Sequence, residues 1–229
     1  MAHFSEKMPW EDLKPYNVKY IENPTQEELR EITLKHVPAA LLSAYNNIDR
    51  ITKRKARMQK NTYIIAPLSD AGLYSVKVME PDRARKILDI QREYIEKQGE
   101  LIEIDGYYGI GDKAVAIQCF YTKEGANVAG MQQVLAFPRE RVEPPERLKE
   151  PFRPQFRLVM TPGLELPDMP DKMAIIVDLE HWTTYVMNSD YFGESKKGIL
   201  RMFNAVSYTH LRAHETSLHL VCRLLLEKK

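Results

Sequence analysis

The chain has 229 residues, 44% of them hydrophobic and 28% charged, with a formal net charge of +1; this suits one large globular domain or two small ones. A charge so near zero speaks against a generally basic nucleic-acid binder. No apolar run approaches the roughly 18 residues a spanning helix needs, so neither nucleic acid nor membrane is expected as a partner.

The start, MAHFSEKMPWEDLKPY, is polar and mixed in charge, unlike a secretory signal. Two cysteines, Cys119 and Cys222, give no disulfide framework and no metal-ligand spacing. Together these predict a cytoplasmic, reducing setting.

Thr25-Gln26-Glu27-Glu28 reads as a capping box: the Thr hydroxyl accepts from the N–H three residues on, and the Glu reaches back. The helix it opens runs to about His36 and stops before Pro38. A basic run follows, Lys53-Arg54-Lys55-Ala56-Arg57-Met58-Gln59-Lys60, leading into a predicted strand at Thr62-Tyr63-Ile64-Ile65. Pro81 opens the clearest helix. Ala84, Ile87, Leu88, Tyr94 and Ile95 share one of its faces, and Gly99 closes it. Leu101 to Asp105, Ala114 to Tyr121 and Gln133 to Phe137 read as strands, with a turn or short helix at 125–130. Residues 138–170 hold eight of the fourteen prolines, which predicts an extended crossing interrupted by one strand, Phe156 to Met160. Met173 to Leu179 and Thr183 to Asn188 read as a strand pair joined at Glu180-His181. A helix starting near Gly193 is expected to bury Ile199, Leu200, Met202 and Phe203. The fold class is α/β, a mixed sheet with flanking helices. Cys119 falls on an apolar strand and reads as core; His181 and Trp182 read as turn and packing residues.

The chemistry-bearing stretch is Asp190-Tyr191-Phe192-Gly193-Glu194-Ser195-Lys196-Lys197-Gly198. It places two lysines in the first turn of a helix, where the backbone dipole is already positive. That suits a site holding an anion or an acidic cluster, and crowding would favour a neutral amine able to ligate a metal. On the residues alone the plainer reading is a solvated helix start with flexible lysines.

YFGESKKGILRMFNA resembles the Tyr-x-Gly-Glu-x-Lys-Lys-Gly segment of ATP-dependent phosphoenolpyruvate carboxykinases, rather than the paired-lysine segment of the GTP-dependent relatives. The basic run is similar to the family's Gly-Arg-Ser-Pro-Lys-Asp-Lys. It keeps Arg57, Lys60 and the strand, but departs at the Gly, at Ser-Pro, and at the Asp and second Lys. The resemblance implies that oxaloacetate and ATP give phosphoenolpyruvate, CO2 and ADP in gluconeogenesis. Arg57 and Tyr191 would bind substrate, and Arg54 is the alternative if the register differs. Lys196 would serve anionic groups near the transferred phosphate, and Lys197 would ligate the divalent metal (Mg2+ or Mn2+). ATP and metal belong to the full-length parent. No Gly-x-x-x-x-Gly-Lys-Ser/Thr occurs in the chain, so no nucleotide-binding residue is assigned, no cofactor is expected to bind tightly, and the chain alone is expected to be inactive. Ile104-Asp105-Gly106-Tyr107 is a looser likeness to the family's Val-Asp-Ala-Phe strand end.

From Val206 the character changes. VSYTHLRAHETSLHLVCRLLLEKK has no Gly, Pro or Asp and resembles translated sequencing adapter. The expected organisation is therefore a substrate-side domain over 1–205, truncated before the nucleotide-binding domain, and a non-native tail over 206–229. His210 and His214 are four apart, but Glu215 follows the second, so the His-Glu-x-x-His order of a zinc site is absent. A reading from another class treats residues 53–60 as the polyanion- or RNA-docking edge of a non-catalytic module.

Overall fold

The structure, a computed structural model, describes residues 12–111 and 114–211. The capping box forms as expected: α1 (Gln26–His36) is capped by Thr25, with Glu28 returning the bond. A two-stranded hairpin follows, β2 (Leu41–Leu42) against β3 (Ile48–Asp49). The basic run ends in a short turn of helix, α2 (Met58–Asn61), which leads directly into β4 (Thr62–Ile65). After β5 (Lys77–Met79) comes α3 (Pro81–Gln98), closed by Gly99 at φ 73°, a left-handed position that glycine occupies without steric cost.

The sheet has eight strands in the order β1-β6-β7-β8-β10-β9-β4-β5. Its other members are β1 (Lys19–Glu22), β6 (Glu100–Tyr108), β7 (Val115–Tyr121), β8 (Phe156–Thr161), β9 (Ala174–Asp178) and β10 (Thr183–Met187). Only β6–β7 and β9–β10 pair antiparallel; the other neighbours are parallel. Parallel strands need both faces covered, and both are. Ile102, Ile104, Ile117, Leu158 and Val186 pack against residues of α1, α4 (Ala126–Leu135) and α6 (Phe192–Leu211) on one side. The α3 residues Ala84, Ile87 and Ile95 cover Tyr63, Ile176, Leu101 and Phe120 on the other. Cys119 is fully buried in the first of these layers, and burial pushes its thiol pKa up.

Two expectations are corrected. Residues 133–135 continue the helix α4 instead of forming a strand; only Phe137 reaches the sheet, through an isolated bridge to Tyr107. A Val-Leu-Ala-Phe run satisfies a strand and a buried helix end alike, and tertiary packing decides between them. Leu200 and Phe203 are exposed, whereas Ile199 and Met202 are buried. The buried stripe of α6 runs through Ser195, Gly198, Ile199 and Met202, so 200 and 203 lie one position off it. The Pro-rich stretch is largely irregular, as expected, with two short helical turns before β8, α5 (Arg139–Val142) and a 3-10 turn at Arg147–Lys149.

The expected boundary at 205–206 falls inside α6; His214, Glu215 and Cys222 lie outside the described residues. No helix among those described is long and apolar enough to cross a membrane.

Helix α6 meets the sheet most closely at Gly198. A methyl group there would approach Leu158 Cδ1 to 2.4 Å and Thr184 Cγ2 to 3.2 Å. Leu158 is fully buried and has nowhere to retreat. Gly198→Ala is therefore expected to destabilise the fold by about 1–3 kcal/mol, the usual scale of overpacking, read from the midpoint of urea unfolding.

Candidate functional site

Strand β10 ends at Met187, and the chain turns at Asn188 with φ 58°, a conformation Asn tolerates better than most residues. The next three residues lie against the basic run, which at 50–57 belongs to no strand or helix. Asp190 carries most of this seam. Its Oδ1 accepts from the Arg54 backbone N–H (2.8 Å); its Oδ2 accepts from Arg50 Nη2 (2.8 Å) and the Lys53 N–H (3.3 Å). In return, the Asp190 N–H and Ser189 Oγ both donate to the Arg54 carbonyl. Arg54 Nη1 donates to Asn188 Oδ1 at 2.8 Å. The two motifs singled out in the sequence, more than a hundred residues apart, are thus joined.

The seam gives 53–57 an alternating exposure. Lys53, Lys55 and Arg57 are exposed, whereas Thr52, Arg54 and Ala56 are half-buried. Lys55 Nζ lies 5.6 Å from the centroid of the Tyr191 ring, and so does Lys197 Nζ. The ring folds back over Gly193, where a Cβ would meet ring carbons at 2.3 and 2.4 Å. Glycine is therefore required there if Tyr191 is to keep its place.

Helix α6 starts at Phe192, earlier than expected, so Lys196 and Lys197 are its fifth and sixth residues and sit in its second turn. The acid in the first turn is Glu194. Its carboxylate, with 1% of its side chain exposed, accepts from Lys197 Nζ and from Arg201 Nη2 (3.1 Å). This answers the electrostatic oddity of the lysine pair: a buried carboxylate neutralises one member. Lys196 is exposed and donates no hydrogen bond among the described residues. Beneath them, Tyr121 hydroxyl lies 2.6 Å from Ser195 Oγ, which donates to Gln132 Oε1, and Gln132 Nε2 donates to Tyr108 hydroxyl. That buried chain ties α6 to α4 and to the sheet, and it fixes the rotation of the helix that presents the lysines.

Arg57 stands at the far end of the run as the N-cap of α2, its N–H donating to Asn61 Oδ1. Its guanidinium makes no hydrogen bond among the described residues. It lies near enough to Asp171 to add to the pull of Lys60 and Asn61, which hold that carboxyl below its ordinary range. Arg54, the alternative, is committed to Asn188 and Asp190. Sequence reading gave no role to Arg50, Lys55, Asp190 or Glu194, although the last three lie in the stretches it singled out. Glu194 had a local signal, since it is three residues before Lys197 and seven before Arg201 on a helix.

The family model described as phosphoenolpyruvate carboxykinase matches residues 18–225. The chain belongs to the ATP-dependent phosphoenolpyruvate carboxykinase family. No curated protein sequence matches the chain. The family match implies a carboxy-lyase and brings ATP and a divalent metal into consideration. Among the described residues no cluster of three or more His, Cys, Asp and Glu could hold a metal, and the Lys197 amine is occupied by Glu194.

Proposed function

We propose that this chain binds the substrate side of the carboxykinase reaction, in which oxaloacetate and ATP yield phosphoenolpyruvate, CO2 and ADP in gluconeogenesis. The observation that supports this reading is the Asp190 seam, which ties the basic run to the start of α6; Lys55 and Lys197 both lie by the Tyr191 ring. Arg57 offers an uncommitted planar guanidinium, suited to a carboxylate in bidentate geometry. Tyr191 supplies a ring and hydroxyl against the substrate. Lys196 contributes a free ammonium, and Lys197 a cation fixed in place by Glu194. These groups orient a small dianion and stabilise the negative charge that decarboxylation moves onto the enolate oxygen. The partner is a small-molecule acid in the cytoplasm, not a nucleic acid or a membrane.

Titration calorimetry of the 229-residue chain with phosphoenolpyruvate is expected to show binding, weakened about tenfold by Arg57→Ala, the scale of one charged hydrogen-bonding contact. A coupled assay for phosphoenolpyruvate formation from oxaloacetate and ATP is expected to read zero, because no phosphate loop occurs in the sequence. Absence of binding, or indifference to Arg57→Ala, removes the substrate reading. Turnover by this chain removes its restriction to binding.

The outward alternation of Lys53, Lys55 and Arg57 also favours a second reading, docking of an RNA or other polyanion. That reading expects oligonucleotide binding that falls steeply between about 50 and 200 mM salt and is abolished by Lys53→Ala with Arg57→Ala.

A further inference from the structure

We propose that Lys55 is an additional substrate-binding cation and that Asp190 is the positioning residue that aims it at the Tyr191 ring. This rests on the substrate reading above.

The segment 50–57 has no ladder of its own, so little in the backbone pattern holds it in register. Most of the bonds that hold it converge on one carboxylate with 7% of its side chain exposed. A carboxylate so desolvated is tolerated only when its lone pairs are satisfied by good donors. Asp190 meets that condition with two backbone N–H groups and a guanidinium whose own side chain is 10% exposed. Both backbone donors belong to Lys53 and Arg54, so the carboxylate reads the position of the main chain itself. Arg54 is also held through its carbonyl, by the Asp190 N–H and Ser189 Oγ. With that residue locked and facing inward, the extended backbone turns its successor outward. The successor is Lys55, and outward here means over Tyr191.

Lys55 and Lys197 share that ring at equal distance, yet only one is neutralised. Lys197 has Glu194, whereas Lys55 donates no hydrogen bond among the described residues. The Lys55 ammonium is left with the ring, and an exposed cation–π contact returns only about 0.5–1 kcal/mol. An anion taken between Lys55 and the Tyr191 edge supplies the missing counter-charge. A compact polyanion such as an α-keto dicarboxylate or an enol phosphate carboxylate has the chemistry to do so, because it can accept from the three ammonium donors of Lys55 while facing the phenol.

The test is a double-mutant cycle on the whole chain, read as the Kd for phosphoenolpyruvate by calorimetry at low salt. Lys55→Gln is expected to raise Kd about fivefold, the upper end for a partly exposed charge contact. Asp190→Asn is expected to do the same. The double variant is expected to be no weaker than Lys55→Gln alone, because a residue acting only through Lys55 has nothing left to position. Asp190→Asn strands the buried Arg50, so Arg50→Gln with Asp190→Asn is measured beside it; Arg54, with 32% of its side chain exposed, keeps Asn188 and water, which leaves the arm readable. An unchanged Kd in Lys55→Gln, with the wild type binding, overturns the proposal alone. Multiplying effects in the cycle reduce Asp190 to a structural part and overturn it as well. A wild type that does not bind at all overturns the substrate reading and this proposal together.

Discussion

Glu194→Gln lowers the stability of the fold by about 3–5 kcal/mol, the scale expected when one partner of a buried ion pair is removed and the other is left behind. The stranded partner is Arg201, not Lys197. Arg201 has 9% of its side chain exposed, and its Nη1 already lacks a hydrogen-bond partner. Lys197, with 42% exposed, can turn its ammonium to water. Three comparisons separate these contributions. Lys197→Met is expected to cost less than about 1 kcal/mol, as a half-exposed pair should. Arg201→Met alone removes the buried cation but leaves Glu194 paired with Lys197, and lies between. Glu194→Met with Arg201→Met replaces both buried charges by apolar volume and is expected to recover most of the loss, because such a replacement is often close to neutral. Urea unfolding with linear extrapolation measures all four. A loss under about 1 kcal/mol in Glu194→Gln would show that Arg201 finds water instead, and that the triad is not what keeps the lysines of α6 in place.

This triad explains why part of the site was legible in the sequence and part was not. Tyr191, Gly193, Lys196 and Lys197 are contiguous, so their spacing alone puts them at one strand-to-helix passage. Their acid, Glu194, is local too, and the helical i,i+3 rule points to it. The Asp190 partners lie 136 to 140 residues away. No local rule reaches that far, and a basic run that reads as a solvated surface becomes a docked segment only through tertiary structure. The same division runs through the fold. The Thr25 cap, the Gly99 stop and the β9–β10 pair are set by neighbours in sequence. In the last turn of α4, Gln132 is fully buried and bridges Tyr108 and Ser195; no pattern of apolar residues announces a glutamine as core.

Asp105→Asn is expected to make the folded chain more stable than the wild type at alkaline pH and to leave the difference smallest in acid. Asp105 lies two residues beyond Glu103 on β6, on the same face. Burial, and then the neighbouring Glu103 carboxylate, push its pKa from an ordinary 3.8 up to about 8. Glu103 is already engaged with Lys14 Nζ and Gln118 Nε2, and Asp105 Oδ1 has no partner of its own. Lys14 pulls in the opposite direction, Glu22 adds to the rise, and the Asp105 charge is felt by Cys119 and Arg139. The group is an acid held protonated in the folded state. Below the unfolded value both states carry the proton, and the stabilising contribution is complete. As pH rises from about 4 to about 8, the unfolded chain gives up a proton that the folded chain keeps, so stability falls. The slope for one proton cannot exceed about 1.4 kcal/mol per pH unit. Asn imitates the protonated carboxyl at every pH and removes this slope. Glu28, Glu100, Glu143, Glu165 and Asp171 are shifted down instead, and their contribution is lost only in more acid solution. They cancel in the difference between wild type and variant. That difference, taken from unfolding curves at about pH 5, 7 and 9, should move steadily in favour of Asn. A difference that stays level across the window would show that Asp105 is ionised in the folded chain and that Lys14 serves both carboxylates.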